Sequence, residues 1–182
     1  MAVPELALSH FGFFVFDMKR MERFYTEALG FVVTDRGSLR GRDLLFLSRN
    51  PAEHHQIVMA SGRTGTPDAQ VINQLSFRVA SLDALKDFHA QIGQRDEVHD
   101  INPVSHGNAW SVYFRDPEGN RIEVFVDAPW YVTQPRGEPL DLSLPADEIM
   151  RRTEAACRED PGFMPVAQWQ AGFAARLTAS QH

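Results

Sequence analysis

One cysteine, Cys157, stands in a chain of 182 residues, so no intrachain disulfide can form and a disulfide-stapled extracellular scaffold is excluded. The sequence also lacks any cluster of Lys and Arg beyond short pairs such as Arg151 and Arg152. Together with a formal net charge of -6, this removes the cationic footprint that nucleic-acid binding needs. No apolar run is long enough to cross a bilayer, and the N-terminus shows no basic region followed by an apolar core. The expectation is a cytoplasmic protein with neither a nucleic-acid nor a membrane partner. Cys157 lies in the polar stretch 150 to 159 with no histidine near it in sequence, and reads as a helix cysteine rather than an activated nucleophile.

What is present is the balance of a globular protein, 43% hydrophobic and 23% charged, arranged as a hidden duplication. Laying Ser9 to Val15 over Asn73 to Val79 matches two alternating, strand-like segments, and carries Met21 and Phe24 onto Leu85 and Phe88. The first helix is expected from Asp17, burying Met21, Phe24, Tyr25 and Ala28 and ending at Gly30. The second is expected from Ser81, burying Leu82, Leu85, Phe88 and Ile92 and ending at Gly93. Strand-like runs follow each helix: 31–34, 44–48 and 56–60, then 98–101, 109–115 and 121–126, the last two joined by a turn at Asp116-Pro117-Glu118-Gly119-Asn120.

Each copy is thus a βαβββ unit of about sixty residues, too small to cover both sheet faces alone. The expected fold is α+β: two tandem βαβββ modules, 5–63 and 70–127, forming a curved eight-stranded mixed sheet, with 128–182 as an extended arm and C-terminal helices at 146–159 and 166–177. That tail is assigned a packing or dimer-contact role, and a homodimer is expected.

Alternation along the first strand puts His10, Gly12 and Phe14 on one face and Phe11, Phe13 and Val15 on the other. The duplication sets Gln74 opposite His10. In the last strand Glu123 alternates against Ile122, Val124 and Val126, at the equivalent of Gln56 or His55 in the first copy. Two readings follow. His10 is a hydrogen-bonded structural histidine and Glu123 an exposed carboxylate, or His10, Gln74 and Glu123 converge on one divalent cation, since inward polar side chains are costly without a partner. Glu118, in the turn, is expected to have no part in such a site. His54 is expected to face solvent, opposite His55, and His89 and His99 to be structural or solvated. Phe14, Gln56, Asn108, Trp110 and Phe125 are candidate pocket residues.

The arrangement resembles the vicinal oxygen chelate superfamily over residues 6–127. The likeness rests on His10, on Phe24-Tyr25-Thr26-Glu27-Ala28-Leu29-Gly30-Phe31, and on Tyr113-Phe114-Arg115-Asp116-Pro117-Glu118-Gly119-Asn120-Arg121-Ile122-Glu123. Within it, the pattern is most similar to the catalytic half of extradiol catechol dioxygenases. That resemblance implies metal ligands at His10 and Glu123, a catalytic histidine at His55, an active-site tyrosine at Tyr113 and a substrate-contacting histidine at His106. It implies one divalent metal, Fe(II) or Mn(II), and a small aromatic substrate. The chain departs from the family at Gln74, where those dioxygenases carry histidine. An amide oxygen is the harder donor and shifts preference toward hard ions. Two alternatives stand beside the dioxygenase: an oxygen-independent glyoxalase-like lyase, isomerase or thiol transferase, and a metal-free small-molecule binding protein.

Overall fold

The computed structural model describes residues 7–67, 69 and 72–180. The expected module starts at 5 and 70, and the last two residues of the tail, lie outside the described residues. The chain divides into two compact units. The first holds the described residues of Glu5–Asn73 together with Arg115–Asn120, and the second those of Gln74–Phe114 and Arg121–His182.

The first unit runs β1 (Phe11–Val15), α1 (Met18–Glu27), β2 (Val32–Leu39), β3 (Arg42–Ser48) and β4 (Ile57–Ser61). Its sheet has the order β1-β4-β3-β2, with β1 parallel to β4 and the remaining pairs antiparallel. Helix α1 begins where the sequence places it: the Asp17 carboxylate accepts from the Arg20 amide at 3.0 Å, supplying one of the free donors of the first turn with a partner. Met21, Phe24 and Tyr25 share the buried face, and Gly30 takes φ +67°, a left-handed conformation that closes the helix.

The 115–120 turn, assigned to this unit, is built on two buried carboxylates. Asp116, 1% exposed, accepts from the Glu118 and Asn120 amides at 3.0 and 2.9 Å, from the Asn120 side chain at 2.8 Å and from the Tyr25 hydroxyl at 3.3 Å. Burial raises the Asp116 pKa above the usual carboxylate value, and the Asn120 side-chain bond opposes the rise. Glu118, 4% exposed, takes the Phe16 amide on both its oxygens at 2.8 and 3.0 Å and the Asp17 amide at 2.7 Å, with Arg63 Nη1 3.4 Å away. A carboxylate at a helix N-terminus faces free amides and the positive end of the helix dipole. Glu118 is therefore part of the fold of the first unit rather than an ordinary turn residue.

The second unit runs β5 (Leu75–Arg78), α2 (Leu82–Ile92), β6 (His99–Ser105), β7 (Ala109–Arg115) and β8 (Arg121–Asp127). The tail follows as β9 (Trp130–Tyr131), β10 (Glu138–Pro139), α3 (Ala146–Cys157), β11 (Met164–Pro165) and α4 (Val166–Ser180). Its sheet has the order β10-β6-β7-β8-β5, with β5 parallel to β8, so each module keeps its own four strands hydrogen-bonded together. Ser81 caps α2 by accepting from the Ala84 amide at 3.1 Å. One face of β7 packs into the core of this unit: Phe114 meets Phe88 of α2, and Trp110 sets its ring edge against Trp130 while donating to Thr153 of α3 at 2.9 Å. The tail thus covers a sheet face with aromatic surface. Among the described residues no helix is long and apolar enough to cross a membrane.

Removing the Glu118 side chain strands two backbone donors and the Arg63 charge, and breaking a buried charge-assisted group of this kind costs roughly 3 kcal/mol or more. Glu118→Ala is expected to lower the unfolding free energy in urea by that amount at unchanged slope. An unshifted midpoint would show that the clamp adds nothing.

Candidate functional site

The free face of β7 and β8 in the second unit carries the polar set. Strand pairing places Ser76 directly opposite Glu123, and Ser111 and Tyr113 alternate with the core residues Trp110, Val112 and Phe114. Glu123 is 7% exposed and its carboxylate is caged. Oε1 accepts from the Tyr113 hydroxyl at 2.6 Å and the Ser111 hydroxyl at 2.8 Å. Oε2 accepts from the Ser76 hydroxyl at 2.5 Å and the Gln74 amide at 2.7 Å. Four neutral donors replace the lost hydration. The only ion-pair partner of Glu123 among the described residues is His106, with Nε2 3.9 Å from Oε1. A buried anion in this position attracts a cation.

Tyr113 links Glu123 to His106, whose Nε2 lies 2.9 Å from the phenolic oxygen, while His106 Nδ1 faces the Arg136 carbonyl at 2.6 Å. A carbonyl can only accept, so Nδ1 carries a proton. Each of the two remaining gaps, Nε2 to phenol and phenol to carboxylate, needs one more. A neutral imidazole, a phenol and a carboxylate together hold two protons, of which Nδ1 takes one and the phenol gives its own to Glu123. The Nε2 lone pair then faces the phenolic oxygen, and an extra proton placed there completes the chain and makes it neutral as a group. With Nδ1 and the phenol both donating outward, the gap between His106 Nε2 and the phenolic oxygen is the one in the set that no proton fills. Burial first, and then the Glu123 bond, push the Tyr113 pKa up to about 12.

Gly107 and the arm fix His106. Gly107 has φ +76°, and a Cβ there would stand 2.8 Å from Val132 Cγ1 and 3.1 Å from Cys157 Sγ, so both the turn and the space require glycine. Gln134 donates to the His106 carbonyl at 2.7 Å and to Asn108 Oδ1 at 3.0 Å. The arm therefore does more than pack: its Arg136 carbonyl sets the tautomer of His106. A backbone acceptor has no residue-type signature, so the sequence holds no signal for it. The Cys157 thiol is buried and its pKa raised by that burial, the state of a structural cysteine.

The other expected site residues are placed as follows. His10 is exposed in the first unit, its ring centroid 4.3 Å from that of His55. His55 Nδ1 lies 2.9 Å from His54 Nδ1, and Phe46 packs against both rings. Desolvation, then the proximity of His10 and His54, lowers the His55 pKa and favours the neutral imidazole that a general base requires. His54 is 59% exposed at its side chain, but its ring lies beside that of His55 rather than opposite it, because residues 51–56 form turns and not a strand whose side chains would alternate. Gln56 uses its side-chain oxygen on the Arg49 amide at 2.9 Å. Phe14 is 50% exposed in the first unit. Phe125 is half-buried under Arg78. Trp110 and Asn108, as given above, are held by Thr153 and Gln134. Among the described residues no three His, Cys, Asp or Glu side chains gather closely enough to hold a metal by themselves.

Register corrects one equivalence. Gly12 pairs with Val58 in the first sheet and Ser76 with Glu123 in the second. Gly12 and Ser76 correspond in the duplication, so the counterpart of Glu123 is Val58, not Gln56 or His55.

The model of the Glyoxalase/Bleomycin resistance protein/Dioxygenase superfamily matches residues 7–124. The chain belongs to this superfamily. It is 27% identical over 125 residues to biphenyl-2,3-diol 1,2-dioxygenase 3 of Rhodococcus globerulus, a match covering 66% of this chain and 63% of that relative. The chain thus spans less than two thirds of the curated relative's length. Solved structures that share its fold include the following three. One is the fosfomycin resistance protein FosX of Listeria monocytogenes, solved with Mn(II) and sulfate, at 15% identity and TM-score 0.53 over 66% of this chain and 91% of that one. The second is a glyoxylase/bleomycin resistance protein/dioxygenase domain from Frankia sp. EAN1pec, at 23% identity and TM-score 0.54 over 68% and 99%. The third is lactoylglutathione lyase of Agrobacterium tumefaciens, at 18% identity and TM-score 0.51 over 68% and 96%. At these identities the three structures establish the superfamily fold and not an activity.

An unfolded tyrosine ionises near 10, whereas Tyr113 keeps its proton to about 12. The folded chain then holds a proton that the unfolded chain has released, so this contribution to stability is full below about pH 10 and declines as pH rises toward 12. An alkaline absorbance titration is expected to show a phenolate step near pH 12 that Tyr113→Phe deletes. A Tyr113 step at the ordinary tyrosine value would contradict the chain of bonds.

Proposed function

We propose that this protein is a cytoplasmic, divalent-metal-dependent enzyme of the extradiol dioxygenase type, acting on a catechol or related small aromatic. The observation that carries the reading is the run of close contacts from the Arg136 carbonyl through His106 and Tyr113 to buried Glu123, which lacks a proton only between His106 Nε2 and the phenolic oxygen. A protein that merely sequesters an aromatic ligand has no use for a proton-accepting chain ending on a carboxylate. The similarity to a biphenyl-2,3-diol dioxygenase supports the same choice.

The donor set fits a hard cation. Glu123 offers a carboxylate otherwise satisfied only by neutral donors, and Gln74 stands 2.7 Å from it. Rotating the Gln74 amide by half a turn presents its oxygen in place of its nitrogen, an exchange of nearly identical shape. Within the second unit Glu123 and Gln74 are the residues that would hold the metal, and carboxylate with amide oxygen suits Mn(II), or Fe(II) more weakly. When bound, such an ion lowers the pKa of a coordinated hydroxyl. His106 and Tyr113 would hydrogen-bond the substrate oxygen, with the Nε2 lone pair of His106 ready to take the substrate's proton and return it. The tight cage around Glu123 limits competing water.

One observation weighs against a glyoxalase-like lyase. That chemistry calls for a carboxylate base on the last strand of the first module, where Val58 stands at the Glu123 position and Gln56 is occupied by the Arg49 amide.

Fe(II)- or Mn(II)-loaded protein is expected to consume dioxygen with at least one member of a catechol panel in an oxygen-electrode assay. Tyr113→Phe and His106→Ala should each lower that rate by about a hundredfold, the scale of a lost acid–base group. Gln74→His should raise Fe(II) affinity, because imidazole is the stronger donor to that ion. Metal-loaded, folded protein that consumes no oxygen with any catechol, before or after Gln74→His, would overturn the dioxygenase reading.

A further inference from the structure

The first unit contains a cleft of its own, with a volume of about 460 Å³, lined by Gly12, Phe14, Arg42, Thr64, Ile72 and Asn120 among others. None of these residues belongs to the Glu123 group. Its floor is the exposed face of β1, where the duplication has diverged most. Gly12 replaces the counterpart of Ser76, Val58 the counterpart of Glu123, and Phe14 the counterpart of Arg78. The polar ledge of one module is an apolar shelf in the other.

Gly12 is not explained by the fold. It is not among the glycines with positive φ, and a Cβ built there would meet Val58 only at 3.6 and 3.8 Å, ordinary van der Waals distances. The strand would accept a side chain and lacks one, and what the missing side chain leaves open is the cleft. Phe14 stands beside it 50% exposed, a large aromatic surface facing water.

Charge at the edge of the cleft complements this apolar floor. The Arg42 guanidinium lies 4.7 Å from the centre of the Phe14 ring and uses Nη1 on the Ser61 and Gly62 carbonyls at 2.8 and 3.4 Å. Among the described residues it meets no carboxylate. Arg63, the other arginine on the cleft, is engaged by Glu118. The cleft therefore combines a flat apolar floor, an exposed ring for stacking and, at its edge, one guanidinium that meets no counter-charge among the described residues. A convergent charge beside apolar walls is the usual composition of a small-molecule site.

We propose that this cleft is a binding site for a planar aromatic carrying a carboxylate or similar anionic group, the ring lying over Gly12 against Phe14 and the anion taken by Arg42. The site rests on the first unit alone and stands independently of the metal-dependent reading above.

The test is calorimetric titration of the full chain with 2-naphthoate, with its neutral analogue 2-naphthalenemethanol and with acetate. The naphthoate is expected to bind, the alcohol more weakly and acetate not at all. Gly12→Leu fills the floor and should abolish binding of both aromatics. Arg42→Gln should weaken naphthoate about tenfold, the scale of one lost charge-assisted bond, while leaving the alcohol unchanged. Because Arg42→Gln leaves the floor intact, it decides the matter even if Gly12→Leu does not fold. Glu123→Ala should leave naphthoate binding as it is. The proposal is overturned if the native protein does not bind naphthoate, if Arg42→Gln binds naphthoate and alcohol as the native chain does, or if binding disappears in Glu123→Ala.

Discussion

A carboxylate taken out of water must be given donors, and three are buried among the described residues: Asp116, Glu118 and Glu123. The first two receive mostly backbone amides. Asp116 shapes its own turn, and Glu118 gathers the amides of Phe16 and Asp17 at the start of α1. Such bonds have one geometry, and they make the turn a rigid part of the first unit. Glu123 is treated differently, for its donors are side chains of serine, glutamine and tyrosine. Hydroxyls and amides can turn to present oxygen instead of hydrogen. The same cage that satisfies the anion can therefore yield to a cation. Two of these carboxylates fix structure, and the third is the one on which the proposed chemistry rests.

The duplication explains where that chemistry sits. Both modules pair their first strand with their last in parallel, in the same register. Equivalent backbones then offer equivalent positions, and divergence at three of them produces opposite surfaces. Ser76, Glu123 and Arg78 make one polar. Gly12, Val58 and Phe14 make the other apolar. Symmetry of backbone with asymmetry of side chain lets one fold carry an ionic face on one module and an apolar cleft on the other.

Much of this is legible in the sequence because it obeys local rules. The caps at Asp17 and Ser81, the helix faces of Met21 and Leu85, and the alternation that buries Val15 and leaves Phe14 exposed each depend on neighbours a few residues away. What the sequence hides has a different physical origin. The β2 strand runs to Leu39, well past the expected end at 34, because it is an edge strand exposed along nearly its whole length and so carries no apolar alternation to read. Glu118 looks like an ordinary turn residue until the Phe16 and Asp17 amides, distant in sequence, are found on it. The hold of Arg136 on His106 is a backbone carbonyl, to which sequence patterns are blind. Equating Glu123 with Gln56 fails for a subtler reason: the loops between strands differ in length, and only hydrogen-bond register settles which residues are partners.

In the proposed site the carboxylate of Glu123 exchanges its neutral donors for a divalent cation. Electron paramagnetic resonance of Mn(II) titrated into metal-free protein reads this most directly, because bound ion leaves the free six-line signal. Stoichiometric uptake of about one ion per chain is expected, and its loss in Glu123→Gln, a substitution that keeps the shape of the side chain and removes its charge. Equal uptake by the native chain and by folded Glu123→Gln would contradict it.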